Sequence, residues 1–250
     1  MRALSALLLA LLLTTPAQGD TLVVPNGFEN VDASGPGFVF PFATSLISNY
    51  PLRFQQVYEA SSFPDLDDVL TISELRFRIN SPDGDRDPFT VEQVEVHLST
   101  TAVAPDALTN GSTQALDDNV GADDTIVFTG GLSWDPCGSD PCLAPPAPFD
   151  LAVVFATPFS YDPTAGNLLL EVFNGSEEYP IQIFDALGVT GDAISNAREV
   201  LSRSDLTTHL FPSDSFGLIT QFVYTVPEPG STGAALVALL GMAALVRARA

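Results

Sequence analysis

The chain has 250 residues, with 31 acidic and 9 basic side chains and a formal net charge of −22. Every basic residue is an arginine, because no lysine occurs. A surface this acidic repels phosphate backbones and anionic headgroups, which argues against nucleic acid as a partner. It suits a soluble extracellular protein, or one that collects divalent cations.

The N-terminus reads as a leader. Arg2 is a short positive region, Ala3 to Leu13 is apolar, and Thr14-Thr15-Pro16 breaks the run. Ala17-Gln18-Gly19 then places small residues where a signal peptidase reads them. Cleavage is expected after Gly19, so residues 1–19 form a signal peptide and Asp20 opens the mature chain. The alternative, an uncleaved anchor, requires a longer apolar run.

From residue 20 to 226 the dominant signal is period-two alternation. Leu75, Phe77 and Ile79 alternate with Arg76 and Arg78; Val94, Val96 and Leu98 alternate with Glu95, His97 and Ser99. Leu168, Leu170 and Val172 alternate with Leu169, Glu171 and Phe173. Phe216, Leu218, Thr220, Phe222 and Tyr224 form one face of a long strand. Such patterns read as strands with one face on a core. Turn clusters separate them at Ser81-Pro82-Asp83-Gly84-Asp85, Asp162-Pro163-Thr164-Ala165-Gly166 and Asn174-Gly175-Ser176. The only strong helical runs are the two chain ends. The expected domain is therefore all-β, an antiparallel sandwich of jelly-roll type spanning residues 20–226.

Chemistry is sparse in this stretch. No Gly-X-Ser-X-Gly elbow occurs, and the only histidines are His97 and His209. His97 falls on a strand's polar face, where a surface or packing role is the ordinary one. A glycosidase needs two carboxylates at a set separation, and the sequence cannot choose a pair among so many acids. Gly35-Pro36-Gly37 lacks the helix a phosphate loop requires.

Asp83, Asp85 and Asp87 alternate within one turn, and hard carboxylate oxygens there suit weak Ca²⁺ binding. A plain solvated hairpin turn is the favoured reading of the loop, because Pro88 and Val94 break the EF-hand pattern. Asp117-Asp118-Asn119 with Asp123-Asp124 is a second acidic loop of the same kind. Asn110-Gly111-Ser112 and Asn174-Gly175-Ser176 fit a glycosylation sequon and also read as turns.

Cys137 and Cys142 are the only cysteines. In an exported chain an isolated pair reads as a disulfide. The short loop it closes is worth only about 2 kcal/mol. Zinc would need two further ligands at metal-like spacing, which neither histidine offers. The pair sits in a Pro-rich excursion from Trp134 to Pro148, expected as a surface loop.

The C-terminus is the most specific part. Val226-Pro227-Glu228-Pro229 precedes an uncharged run from Gly230 to Val246, closed by Arg247 and Arg249. At about 1.5 Å per residue this run spans about 25 Å as a helix, close to the roughly 30 Å of a bilayer core. Pro227 and Pro229 stop the helix upstream, and the arginines favour the cytoplasmic side. Residues 227–250 are expected to form a sorting tail with a transmembrane helix, leaving the domain outside.

This order of Val226-Pro227-Glu228-Pro229, apolar helix and terminal arginines, paired with a leader, resembles the PEP-CTERM sorting signal of bacterial exported proteins. The resemblance implies recognition by an exosortase and delivery to the cell surface or an extracellular polysaccharide matrix. The basic end departs from the pattern, being only Arg-Ala-Arg. A wider similarity covers roughly residues 50 to 226. Arg53-Phe54-Gln55-Gln56-Val57-Tyr58 followed by Phe63-Pro64, Leu98-Ser99-Thr100-Thr101, Asn119-Val120-Gly121-Ala122-Asp123-Asp124, and Asp162-Pro163 leading to Gly166-Asn167-Leu168-Leu169-Leu170 resemble blocks of a recurrent PEP-CTERM group. It implies one β domain and brings no catalytic residues.

The reading is an exported, non-enzymatic surface or matrix protein needing no cofactor, with Ca²⁺ as a weak ligand. The first rival is a carbohydrate-binding module acting on exopolysaccharide, for which Trp134 or Tyr161 should stand on an exposed face. The second is a secreted glycoside hydrolase or lyase, for which a cleft should hold two facing carboxylates.

Overall fold

The structure is a computed structural model that describes residues 19–33, 35, 37–43, 51–63, 69–81, 87–109, 113–136, 145–176, 182–201 and 208–226. The strands are β1 (Asp20–Val24), β2 (Leu52–Tyr58), β3 (Leu70–Phe77), β4 (Phe89–Thr101), β5 (Thr125–Trp134) and β6 (Leu151–Tyr161). They continue as β7 (Asn167–Asn174), β8 (Ala186–Gly188), β9 (Ile194–Leu201), β10 (Thr208–Asp214), β11 (Phe216–Leu218) and β12 (Thr220–Thr225). A short α-helix, α1 (Thr113–Asp117), precedes β5, and a 3-10 turn spans Ala60–Ser62.

The domain is all-β, and every strand pairing is antiparallel. One sheet has the order β1-β12-β3-β6, a second β10-β9-β2-β7-β4-β5, and β11-β8 form a small third. The two large sheets share one core, in a sandwich-like arrangement. Leu75, Phe77, Leu151, Val153 and Phe222 from the first meet Phe54, Tyr58, Val94, Val96, Leu98, Leu170 and Val172 from the second. Alternation explains this directly, because inward side chains recur at every second position. In β6 the buried residues Leu151, Val153 and Phe155 alternate with exposed Ala152, Val154 and Ala156.

β2 departs from alternation, with all seven residues buried. Its inner residues face the other sheet. Its outer residue Val57 packs with Leu108, Leu116, Leu169 and Ala197, so the segment carrying α1 covers the outer face.

Two expectations need correction. The long strand from Phe216 to Tyr224 is broken at Ile219, so β11 and β12 lie in different sheets. Gln56, an inner residue of β2, bridges this change of sheet. Its amide donates to Leu218 O at 2.9 Å, and its Oε1 accepts the Leu218 N–H at 2.8 Å. The alternation also placed Arg78 with Arg76 on a polar face, but Arg78 is only 1% exposed. β3 ends one residue earlier, and Arg78 Nε donates to Asp185 Oδ2 at 2.7 Å. Nη2 donates to Val31 O at 2.6 Å, and the guanidinium lies 4.5 Å over the Phe149 ring. Asp185 Oδ1 accepts the Ala33 N–H at 3.0 Å. Burial pushes the Asp185 carboxyl up, against the opposing charge of Arg78.

Among the described residues no helix is long and apolar enough to cross a membrane. The expected leader and the expected tail helix lie outside the described residues, as does the loop from 137 to 144.

Candidate functional site

The richest polar constellation lies on the outer face of the six-stranded sheet. Strand register builds it as two cross-strand rows. Gln55 on β2, Glu171 on β7, His97 on β4 and Ile126 on β5 stand side by side. The next row is Arg53, Phe173, Glu95 and Thr129. Residues of one row face the same way because side chains of paired positions share a face.

Residues 101–109 and 113–124 fold over these rows and supply further partners. Arg53 Nη1 donates to Asp117 Oδ1 at 2.6 Å, and Arg53 Nε to Glu171 Oε1 at 2.7 Å. Gln55 Nε2 donates to Glu171 Oε1 at 2.6 Å and to Leu116 O at 2.8 Å. Asn119 Nδ2 donates to Gln55 Oε1 at 2.8 Å and to Thr109 O at 2.9 Å. Burial raises the Glu171 carboxyl, while Arg53, Gln55 and His97 hold it back.

His97 is buried, with one carboxylate on each ring nitrogen. Nε2 is 2.9 Å from Glu95 Oε1, and Nδ1 is 3.1 Å from Asp124 Oδ2. Burial alone lowers its pKa; the bonds to Glu95 and Asp124 and the charges of Asp124 and Glu171 outweigh that and raise it. The Phe173 ring lies edge-on to His97 at 5.3 Å, with the Arg53 guanidinium over it at 5.3 Å. Beside Phe173 opens a groove of about 460 Å³, lined by Glu92, Gln93, Glu95, Thr129, Gly130 and Gly175 among others. Glu92 and Glu95 both come from β4, and Glu95 is committed to His97.

The blocks behind the wider resemblance meet in this region. Thr101 Oγ1 donates to Asn119 O at 2.7 Å, Gly121 N–H to Ser99 Oγ at 3.1 Å, and Thr100 N–H to Asp123 Oδ1 at 2.7 Å. Asn167 Nδ2 donates to Val103 O at 2.8 Å. These side chains fasten loops to strands. Gly121 lies so close to β4 that a Cβ there would sit 1.9 Å from Thr100 O. The Gly121→Ala variant should therefore lose about 3 kcal/mol of stability, since backbone cannot yield as a flexible side chain does. A urea midpoint shift would measure it, and an unshifted midpoint would mean the turn stands off the strand.

The second acidic loop does not converge on a cation. Asp117 pairs with Arg53, Asp123 with the Thr100 amide and Asp124 with His97. Among the described residues no group of three or more His, Cys, Asp or Glu side chains is arranged for a metal. Asp83 and Asp85 lie outside the described residues; Asp87 is exposed, and its carbonyl accepts the Gln182 amide at 3.0 Å. Cys137, Cys142, Pro227, Glu228 and Pro229 also lie outside the described residues. Val226 is half-buried against the core at the end of β12.

The aromatic residues named for carbohydrate binding are not on an exposed face. Trp134 is buried, stacked on Phe184 at 5.4 Å, with Nε1 donating to Asp150 Oδ1 at 2.9 Å. Tyr161 is buried and donates to Gly166 O at 2.8 Å. The residues sequence reasoning passed over are Arg53, Gln55 and Glu171. Glu171 alternates with core residues on β7 in the sequence, but Arg53 and Gln55 sit in a strand without regular alternation, and nothing local shows that a distant segment covers all three. No protein-family model matches the chain, and no curated protein matches it.

Proposed function

We propose that this chain is an exported, non-enzymatic surface or matrix protein, sorted by an exosortase through Val226-Pro227-Glu228-Pro229 and the tail that follows. The observation that carries the reading is the order of that motif, the uncharged run from Gly230 to Val246 and the closing Arg247 and Arg249, set against a leader at the other end. The domain is a jelly-roll-like sandwich. The wrapped strand order supports this: β1-β12-β3-β6 faces β2-β7-β4-β5, and β9 and β10 extend the second sheet beyond β2.

The placement of the ends supports the sorting reading. β1 begins at Asp20, next to the expected leader cleavage, and β12 ends at Thr225, just before the motif. These strands pair antiparallel, with Asp20 opposite Tyr224. The strand ends to which the expected leader and tail are joined thus lie side by side, and removal at those points would cut no strand. The buried polar side chains of the outer face serve as loop fasteners, which suits a structural domain. Weak Ca²⁺ at Asp83, Asp85 and Asp87 and a disulfide between Cys137 and Cys142 belong to the same proposal.

The test is to replace Pro227, Glu228 and Pro229 with alanine in the organism that makes the protein. The parent should appear outside the cell without its tail, and the variant should stay membrane-associated with the tail attached. Release of the variant in the parent's form would overturn the sorting reading.

A further inference from the structure

An ionised carboxylate only accepts hydrogen bonds, and a neutral imidazole offers a single N–H. His97 meets a carboxylate at each nitrogen, at 2.9 Å and 3.1 Å, so both contacts are hydrogen bonds only when the ring carries two protons. Glu95 is the partner on the same strand and Asp124 the partner on the turn that leads into β5. The other charged groups facing the ring are Glu171 on β7 and, through Glu171, Arg53 on β2. The neighbouring β5 residue in the row is the uncharged Ile126.

We propose that doubly protonated His97 is a pH-sensitive latch: it fastens the turn from Gly121 to Asp124 onto β4, and loss of one proton releases the turn while the two-sheet core stays folded. Besides this contact, the turn is fastened to β4 by the Gly121 N–H donating to Ser99 Oγ and by the Thr100 N–H donating to Asp123 Oδ1. Upstream of it, Asn119 closes over Gln55. Release therefore loosens the cover over Gln55, Glu171 and Arg53. The raised pKa sets the direction. The latch contributes fully below the ordinary histidine value of 6.5 and is lost as pH climbs through the higher folded-state value.

Two measurements on the full-length protein test this. Histidine NMR should give a His97 titration midpoint above 6.5, with the resonance identified by its loss in the His97→Gln variant. Hydrogen exchange of peptides covering 119–124, corrected for base catalysis, should be followed at about pH 6 and about pH 9, either side of an ordinary histidine. The parent should lose protection by about tenfold or more, as expected when charge-assisted hydrogen bonds are removed. Peptides from β2 and β7 should stay protected. The His97→Gln and Asp124→Asn variants should be weakly protected at both pH values. A midpoint at or below 6.5, or a parent equally protected at both pH values, would overturn the latch.

Discussion

Replacing Arg78 with alanine should destabilise the domain by roughly 3–5 kcal/mol, the usual cost of stripping one partner from a buried ion pair. Both side chains of the Arg78–Asp185 pair are fully buried, with N and O 2.6 Å apart. Without the guanidinium, Asp185 would keep the Ala33 N–H as a partner and would face the nearby charge of Asp32. Burial already pushes its carboxyl up, so it would take on a proton or open the site to water. The Val31 carbonyl would also lose its donor. A joint change of Arg78→Met and Asp185→Leu should lose much less, because no unpaired charge remains. Urea unfolding with an unchanged slope would measure both losses. A loss below about 1 kcal/mol in the single variant would place the pair in contact with solvent.

The second large effect is expected at Gln56, where roughly 2–4 kcal/mol should be lost on change to alanine. Gln56 acts as a strand partner for Leu218 at the point where the chain passes from β11 to β12. Thr220 Oγ1 also donates to Leu218 O at 3.1 Å, so the carbonyl keeps one bond in the variant. The Leu218 N–H keeps none of its Gln56 contact and stays buried. The Gln56→Leu variant separates the two causes, since it fills the space without restoring the hydrogen bonds. It should be nearly as unstable as the alanine variant. Recovery to the parent's stability would assign the effect to packing alone.

The inner faces of the sheets were legible in the sequence because alternation is a local property. Val94, Val96 and Leu98 point to the core as their spacing requires. The outer face was not legible in the same way. Arg53, Gln55 and Glu171 look like solvent-facing residues, and only the fold of the segment around α1 buries them. Arg78 follows the same alternation as Arg76, yet its partner Asp185 lies 107 positions away. Of the two carboxylates on His97, Glu95 was readable, since positions two apart on a strand share a face. Asp124 was not, because it arrives through a turn. The composition of the loop from Asp117 to Asp124 left a plain turn and a cation site both open, and the arginine, amide and imidazole partners of Asp117, Asp123 and Asp124 come from strands that composition does not reveal. The break at Ile219 carried no turn residue to announce it.

The measurement closest to the central proposal is the intact mass of the protein recovered from the surface or medium of the organism that makes it. The account predicts a chain that begins near Asp20 and ends near Pro227 to Pro229, with Cys137 and Cys142 joined. A recovered chain of full-length mass, with Arg249 retained, would contradict it.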